Sequence, residues 1–123
     1  MPFEWAQFLD IAKFLLDHGR QVSKLQDAAY RSAMSRAYYA AFGHAKVFAT
    51  DTLNFIPTGT EDDHINLRDF FKDHQKPEIS RQLSQLRQWR NQSDYENPSY
   101  IISEDQTIRA IQQAERLINV MNT

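Results

Sequence analysis

The chain has 123 residues, of which 41% are hydrophobic and 24% are charged, and its formal net charge is −2. This length is enough for one hydrophobic core, and the composition is too apolar for a disordered chain, so we expect a single helical domain spanning residues 1–123. Because the net charge is slightly negative, the overall charge of the protein cannot attract nucleic acid, and any such binding would need a local concentration of basic residues. The absence of cysteine excludes disulfides, thiolate zinc sites and thiol nucleophiles.

The hydropathy of the sequence indicates where the protein is located in the cell. No segment approaches the roughly 20 apolar residues that a membrane span requires. The N-terminal segment also lacks the basic and apolar regions of a secretion signal. We therefore expect a cytoplasmic protein that does not associate with a membrane.

The placement of glycine and proline favours an all-α fold, an antiparallel up-and-down bundle of about five helices. The chain has only three glycines and four prolines, and all of them except Gly43 fall near the ends of predicted helices. The first helix is predicted over residues 3–18, with Gly19 as its C-terminal cap. The second is predicted over residues 23–49 and is rich in alanine, which lets another helix approach closely. We expect it to be central and to contribute to a homodimer contact.

Three more helices are predicted in the second half of the chain. A loop over residues 51–59 leads to a short helix over residues 61–73, which Thr60 would cap. Pro77 begins a fourth helix that reaches about residue 95. Ser103 and Gln106 have the spacing of a capping box, which predicts the start of the last helix.

Basic residues are concentrated in the second predicted helix. Between residues 19 and 49 the only acid is Asp27, and the basic residues are Arg20, Lys24, Arg31, Arg36 and Lys46. The segment that follows is acidic. One interpretation is a solvated helix face balanced by acids elsewhere, and the other is a local binding surface for an anionic partner.

Most motifs of catalytic and cofactor sites are absent from the sequence. There is no glycine-rich phosphate loop, nucleophile elbow, metalloprotease motif or calcium-binding loop. The four histidines lack metal-ligand spacing, and we expect them at the surface or at helix ends. The adjacent acids Glu61, Asp62 and Asp63 are more typical of a helix N-terminus than of a cation site. The sequence thus predicts neither a metal nor a cofactor.

One charged residue interrupts the apolar stripe of the fourth helix. The stripe consists of Ile79, Leu83 and Leu86. Arg90 stands at the next position, where an apolar residue is expected, and a buried cation requires a partner. Asp94 lies one turn further on, which allows an ion pair within the helix. The alternative is a cleft in which Arg90, Asn91 and Tyr95 bind an anion such as phosphate.

Two runs of the sequence resemble the HEPN superfamily, small helical-bundle proteins of prokaryotes. They are YRSAMSRAYYAAF at residues 30–42 and LRQWRNQSDY at residues 86–95, and the resemblance spans most of the chain. It implies a homodimer whose central helices pack together. It also implies either a metal-independent ribonuclease or a toxin partnered by a small nucleotidyltransferase antitoxin.

The candidate site residues fall into two groups. The catalytic candidates, if the protein is active, are Arg90, Asn91, Asp94 and Tyr95. The binding candidates are Arg31, Arg36, Tyr38, Tyr39 and Arg87. Because Tyr38 and Tyr39 point about 100° apart on a helix, one can pack inward while the other reaches a cleft or a partner.

The sequence departs from the ribonuclease members at one position. Those members carry an arginine, a polar residue, a short spacer and a histidine, whereas Tyr95 stands where the histidine would follow. A tyrosine, with a reference pKa of about 10, is a poor general base near neutral pH. We therefore expect a dimeric RNA- or partner-binding module with a degenerate ribonuclease site. An active endoribonuclease and a purely structural subunit are the alternatives.

Overall fold

The computed structural model describes residues 3–95 and 101–122, and the side chain of Tyr95 lies outside this description. The elements are α1 (Gln7–Gln21), a 3-10 turn (Ser23–Leu25), α2 (Gln26–Leu53), α3 (Asp63–Asp73), α4 (Pro77–Tyr95) and α5 (Glu104–Asn122). No strand occurs in the described ranges, and the predicted all-α helical bundle is confirmed. None of the described helices combines the length and the apolar character that a membrane span needs.

Helix α2 is the central element, and it packs against α1, α4 and α5. Its small side chains allow this, because alanine lets neighbouring helix axes approach closely. The alanines of α2 with no exposed surface are Ala33, Ala37, Ala40, Ala41, Ala45 and Ala49. These alanines are covered by the rest of the same chain. A homodimer would therefore have to use other residues than this alanine surface.

Gly19 does not end the first helix, contrary to the prediction. Helix α1 begins later than predicted and continues through Gly19 to Gln21. A Cβ atom on Gly19 would lie 2.9 Å from a ring carbon of Tyr30 and 3.0 Å from the Cβ of Ala29. Glycine is therefore required by the close approach of α1 and α2, and the helix does not end there.

The connection between α2 and α3 also differs from the prediction. Helix α2 extends to Leu53 and ends at Asn54, whose φ of 65° is left-handed and whose N–H donates to the carbonyl of Ala49. Asparagine takes the role that glycine often has at this position. Helix α3 begins at Asp63, and Thr60 lies in the turn before it, accepting a hydrogen bond from the N–H of Asp62 at 3.3 Å.

Asp63 anchors this connection from a position that is only 1% exposed. Its Oδ1 accepts hydrogen bonds from the N–H and the hydroxyl of Thr58, both at 2.8 Å. Its Oδ2 accepts the N–H of Gly59 at 3.0 Å and lies 2.9 Å from the Nζ of Lys46. Burial raises the pKa of this carboxyl, but the hydrogen bonds and the lysine outweigh burial and hold the pKa well below its usual range.

The last two helices follow the predictions closely. Helix α4 has the predicted limits, and its apolar stripe lies in the core. The N–H of Ser103 donates to Oε1 of Gln106 at 2.8 Å, and the N–H of Gln106 donates to Oγ of Ser103 at 3.0 Å. This reciprocal pair is the predicted capping box, and it is confirmed.

An arginine-rich site around the fourth helix

Four arginines from three helices lie on or beside α4, along the part of the helix from Ser84 to Ser93. They are Arg31 of α2, Arg68 of α3, and Arg87 and Arg90 of α4. Arg31 joins α2 to α4, because its Nη1 donates to the carbonyl of Ser93 at 2.7 Å while its Nε donates to Asp27 at 2.9 Å. Guanidinium groups are the preferred partners of phosphate in proteins, so this concentration of cations has the chemistry of an anion site.

Arg90 lies at the centre of the predicted motif. Its side chain is 13% exposed, and its Nε lies 3.0 Å from Oδ2 of Asp94. Its Nη1 donates to Oδ1 of Asn91 at 3.2 Å, and its guanidinium carbon lies 5.1 Å from the centre of the Tyr39 ring. Arg90 therefore forms the ion pair within the helix, and its guanidinium also contacts the Asn91 amide and the Tyr39 ring. The side chain of Tyr95 lies outside the described residues.

A groove of about 630 Å³ runs between α3 and α4 beside this motif. Its lining residues are Ile65, Arg68, Ser84, Arg87, Gln88, Asn91 and Gln92. Asn91 thus belongs both to the groove and to the hydrogen-bonded set around Arg90. The groove is where an external ligand can reach this part of α4.

Tyr38 and His64 form a buried pair behind the arginines. The Tyr38 hydroxyl and Nδ1 of His64 share a hydrogen bond between α2 and α3, and the His64 ring stacks on Phe42 with centroids 4.1 Å apart. Burial, and then the charge of Arg87, lower the pKa of His64 to about 4, while burial raises the pKa of Tyr38 above its usual value. His64 is thus neutral near pH 7, and the hydrogen bond joins a neutral imidazole to a protonated tyrosine hydroxyl.

His64 lies at a helix end, as one of the two predicted placements has it, since it is the second residue of α3, but it is not at the surface, because it is only 8% exposed. The sequence contained a signal for its burial. His64 precedes Leu67 by three residues and Phe71 by seven, and both of these residues are fully buried. His64 therefore continues the apolar face of α3. Its partner Tyr38 is distant in the sequence, so the pairing itself had no local signal.

The pKa of His64 has a measurable consequence for stability. We expect its ring to titrate at about 4 in the folded protein and at 6.5 in the unfolded chain. Because the folded value is lower, the unfolded chain binds the proton first, and the free energy of unfolding should fall as the pH falls through this window. NMR titration of the ring and urea denaturation across the window measure both effects. The same pH dependence in His64→Gln as in the unaltered protein would contradict this assignment.

The structure brings most of the binding candidates to one place. Tyr38 is buried and Tyr39 half-buried beside Arg90, and Arg87 lines the groove. Arg36 lies elsewhere, since it is exposed and its guanidinium carbon lies 5.0 Å from the ring centre of Phe8 on α1. Within the described ranges, no group of three or more histidine or acidic side chains is placed to hold a metal ion.

Comparison with known proteins identifies the family. The family model of the HEPN domain matches residues 6–123. A search of curated proteins finds no match. The matched region contains the five helices that the structure describes and both of the runs that resemble the superfamily. The chain therefore belongs to the HEPN domain family.

Proposed function

We propose that this HEPN-domain protein is an RNA-binding module that acts as a homodimer and contacts RNA phosphates through the arginines around α4. The observation that supports this most directly is the presence of four arginines from three helices on or beside α4, two of which line an open groove. A chain with a net charge of −2 can bind RNA only where its cations are gathered in this way.

The surroundings of Arg90 favour binding over cleavage. Metal-independent RNA cleavage requires a group that accepts a proton from the 2′-hydroxyl, and histidine is the usual one near neutral pH. Among the residues that the structure describes, the imidazole packed behind the arginines is that of His64, which is buried and already hydrogen-bonded to Tyr38. The other three histidines have different neighbours: His18 stacks on Phe14, His44 contacts Asn122, and His74 stacks on Phe70 at the C-terminal end of α3. Cleavage by this protein is therefore the second candidate.

Replacing Arg90 by Ala should weaken the binding of a labelled single-stranded RNA about tenfold or more, because a charge-assisted contact to phosphate contributes about 1.5 to 3 kcal/mol. Arg90→Lys should also bind poorly, since lysine keeps the charge but lacks the planar fork. Fluorescence anisotropy at fixed salt measures the affinity, and circular dichroism verifies the fold. Arg81→Ala is the matched control, because Arg81 is 75% exposed and pairs with Glu78. Unaltered RNA binding by Arg90→Ala would remove Arg90 from the site.

The same samples distinguish the alternatives. Incubation with mixed RNA in the absence of metal should leave the RNA intact, whereas cleavage that depends on Arg90 would establish an endoribonuclease. A toxin partnered by a nucleotidyltransferase antitoxin would be supported by a gene for a small nucleotidyltransferase next to this one. A purely structural subunit would neither bind nor cleave RNA.

A further inference from the structure

We propose that the groove between α3 and α4 is a phosphate-ester subsite in which Arg68 and Arg87 hold one phosphate group of the RNA. This inference rests on the proposed function, because RNA is the source of the phosphate. It adds a contact outside the predicted motif, since Arg68 comes from α3 and Arg90 is not among the described residues that line the groove.

The first argument is the charge of the groove. Two of its described lining residues are arginines, and none of them is acidic. The remaining polar lining residues, Ser84, Gln88, Asn91 and Gln92, are neutral and can donate hydrogen bonds to oxygen. The lining therefore has positive charge and neutral donors, which is the combination that binds phosphate.

The second argument is the difference between the two pairs of arginines at this site. Arg31 and Arg90 are neutralised by carboxylates, at 2.9 Å from Asp27 and 3.0 Å from Asp94 respectively. In contrast, no carboxylate within the described ranges forms an ion pair with Arg68 or Arg87.

Arg87 shows this lack of compensation most clearly. It is half-buried, and its Nη1 is covered without a hydrogen-bond partner among the residues that the structure describes. A guanidinium that is partly removed from water is stabilised by a nearby anion. A phosphate in the groove would supply that negative charge.

The third argument is that Arg68 is already oriented. Its Nε donates to the carbonyl of His64 at 3.1 Å, and its Nη1 donates to Oγ of Ser84 at 3.1 Å. These contacts use only part of its N–H donors, so others remain for a ligand. Because both anchors are fixed in helices, little conformational freedom is lost when a ligand binds. The hydrogen bond between His64 and Tyr38 holds this turn of α3 against α2.

The test uses two small probes that separate the two sources of phosphate in RNA. A dinucleoside monophosphate has only an internal diester, and adenosine monophosphate has only a terminal monoester. Each is titrated into the ¹⁵N-labelled full chain. We expect shifts of amide signals in the facing turns of α3 and α4, and an affinity that falls about tenfold in Arg68→Ala and in Arg87→Ala. The probe that binds more tightly shows whether the groove binds an internal phosphodiester or a terminal phosphomonoester.

Controls keep the result interpretable. Arg81→Ala removes a cation from α4 outside the groove and should bind both probes like the unaltered protein. Arg87→Lys keeps the charge in case Arg87→Ala does not fold, and it should still bind more weakly because the planar fork is lost.

Two results would overturn the subsite: probe affinities that are the same in Arg68→Ala and Arg87→Ala as in the unaltered protein, or shifts confined to residues outside the groove. If these two variants also bind RNA normally while Arg90→Ala does not, the subsite is wrong and the proposed function stands. If the probes bind in the groove but RNA does not bind the protein, the proposed function is wrong and the phosphate site stands.

Discussion

Replacing Asp63 by Ala should lower the free energy of unfolding by about 3 kcal/mol, as expected when one partner of a buried, hydrogen-bonded ion pair is removed. The substitution leaves Lys46 without its carboxylate. It also leaves two backbone N–H groups, those of Thr58 and Gly59, without their acceptor. Urea denaturation followed by circular dichroism measures the loss.

Asp62→Ala is the matched control for this experiment. Asp62 is the preceding residue and an acid of the same kind, but it is exposed and its side chain forms no capping hydrogen bond. Its replacement should cost less than about 1 kcal/mol. Equal losses in the two variants would mean that Asp63 acts only on the helix dipole.

The pH dependence gives a second readout for Asp63. Its folded pKa is depressed below the unfolded value of 3.8, so its contribution to stability is fully present above that value. The contribution is lost as the pH falls through the folded pKa. Between neutral pH and strong acid, Asp63→Ala should therefore lose less stability than the unaltered protein does.

Replacing Ala37 by Leu should lower the free energy of unfolding by about 2 to 3 kcal/mol, near the upper end of the usual cost of overpacking. Ala37 has no exposed surface, and α2 is enclosed by α1, α4 and α5. The larger side chain has no free volume to enter, so the neighbouring helices must move apart. The midpoint of urea denaturation measures the effect.

Ala28→Leu provides the comparison, because Ala28 is an exposed alanine of the same helix and receives the same added atoms. That variant should lie within about 0.5 kcal/mol of the unaltered protein. Repeating both measurements at several protein concentrations separates packing within one chain from packing between chains. A cost of Ala37→Leu that depends on concentration would place this alanine in a dimer contact, against its burial within the chain.

The stability of the Asp63 contacts also affects the groove, because Asp63 is next to His64 and lies about one and a half turns before Arg68 on α3. The Asp63 ion pair to Lys46 and the His64 hydrogen bond to Tyr38 both connect α3 to α2. Together they position the helix that provides one wall of the groove. A variant that loosens α3 is therefore expected to weaken phosphate binding without altering any residue of the groove.

The helical class of the protein, the limits of α4 and the capping box of α5 could be predicted from the sequence. Each of these depends on residues within one or two turns of one another, such as Pro77 at a helix start or Ser103 beside Gln106. The candidate site was predictable in part. Arg90 was identified because a cation interrupted an apolar stripe, and its ion pair with Asp94 spans a single turn.

Tertiary structure alone decided the features that join distant parts of the chain. Gly19 is buried because α1 approaches Tyr30 of α2, and His64 is paired with Tyr38, a residue of another helix. The groove exists because α3 places Arg68 opposite Arg87 of α4. Spacing rules describe neighbours along one helix, whereas these contacts depend on how helices approach one another, which is set by packing across the whole core.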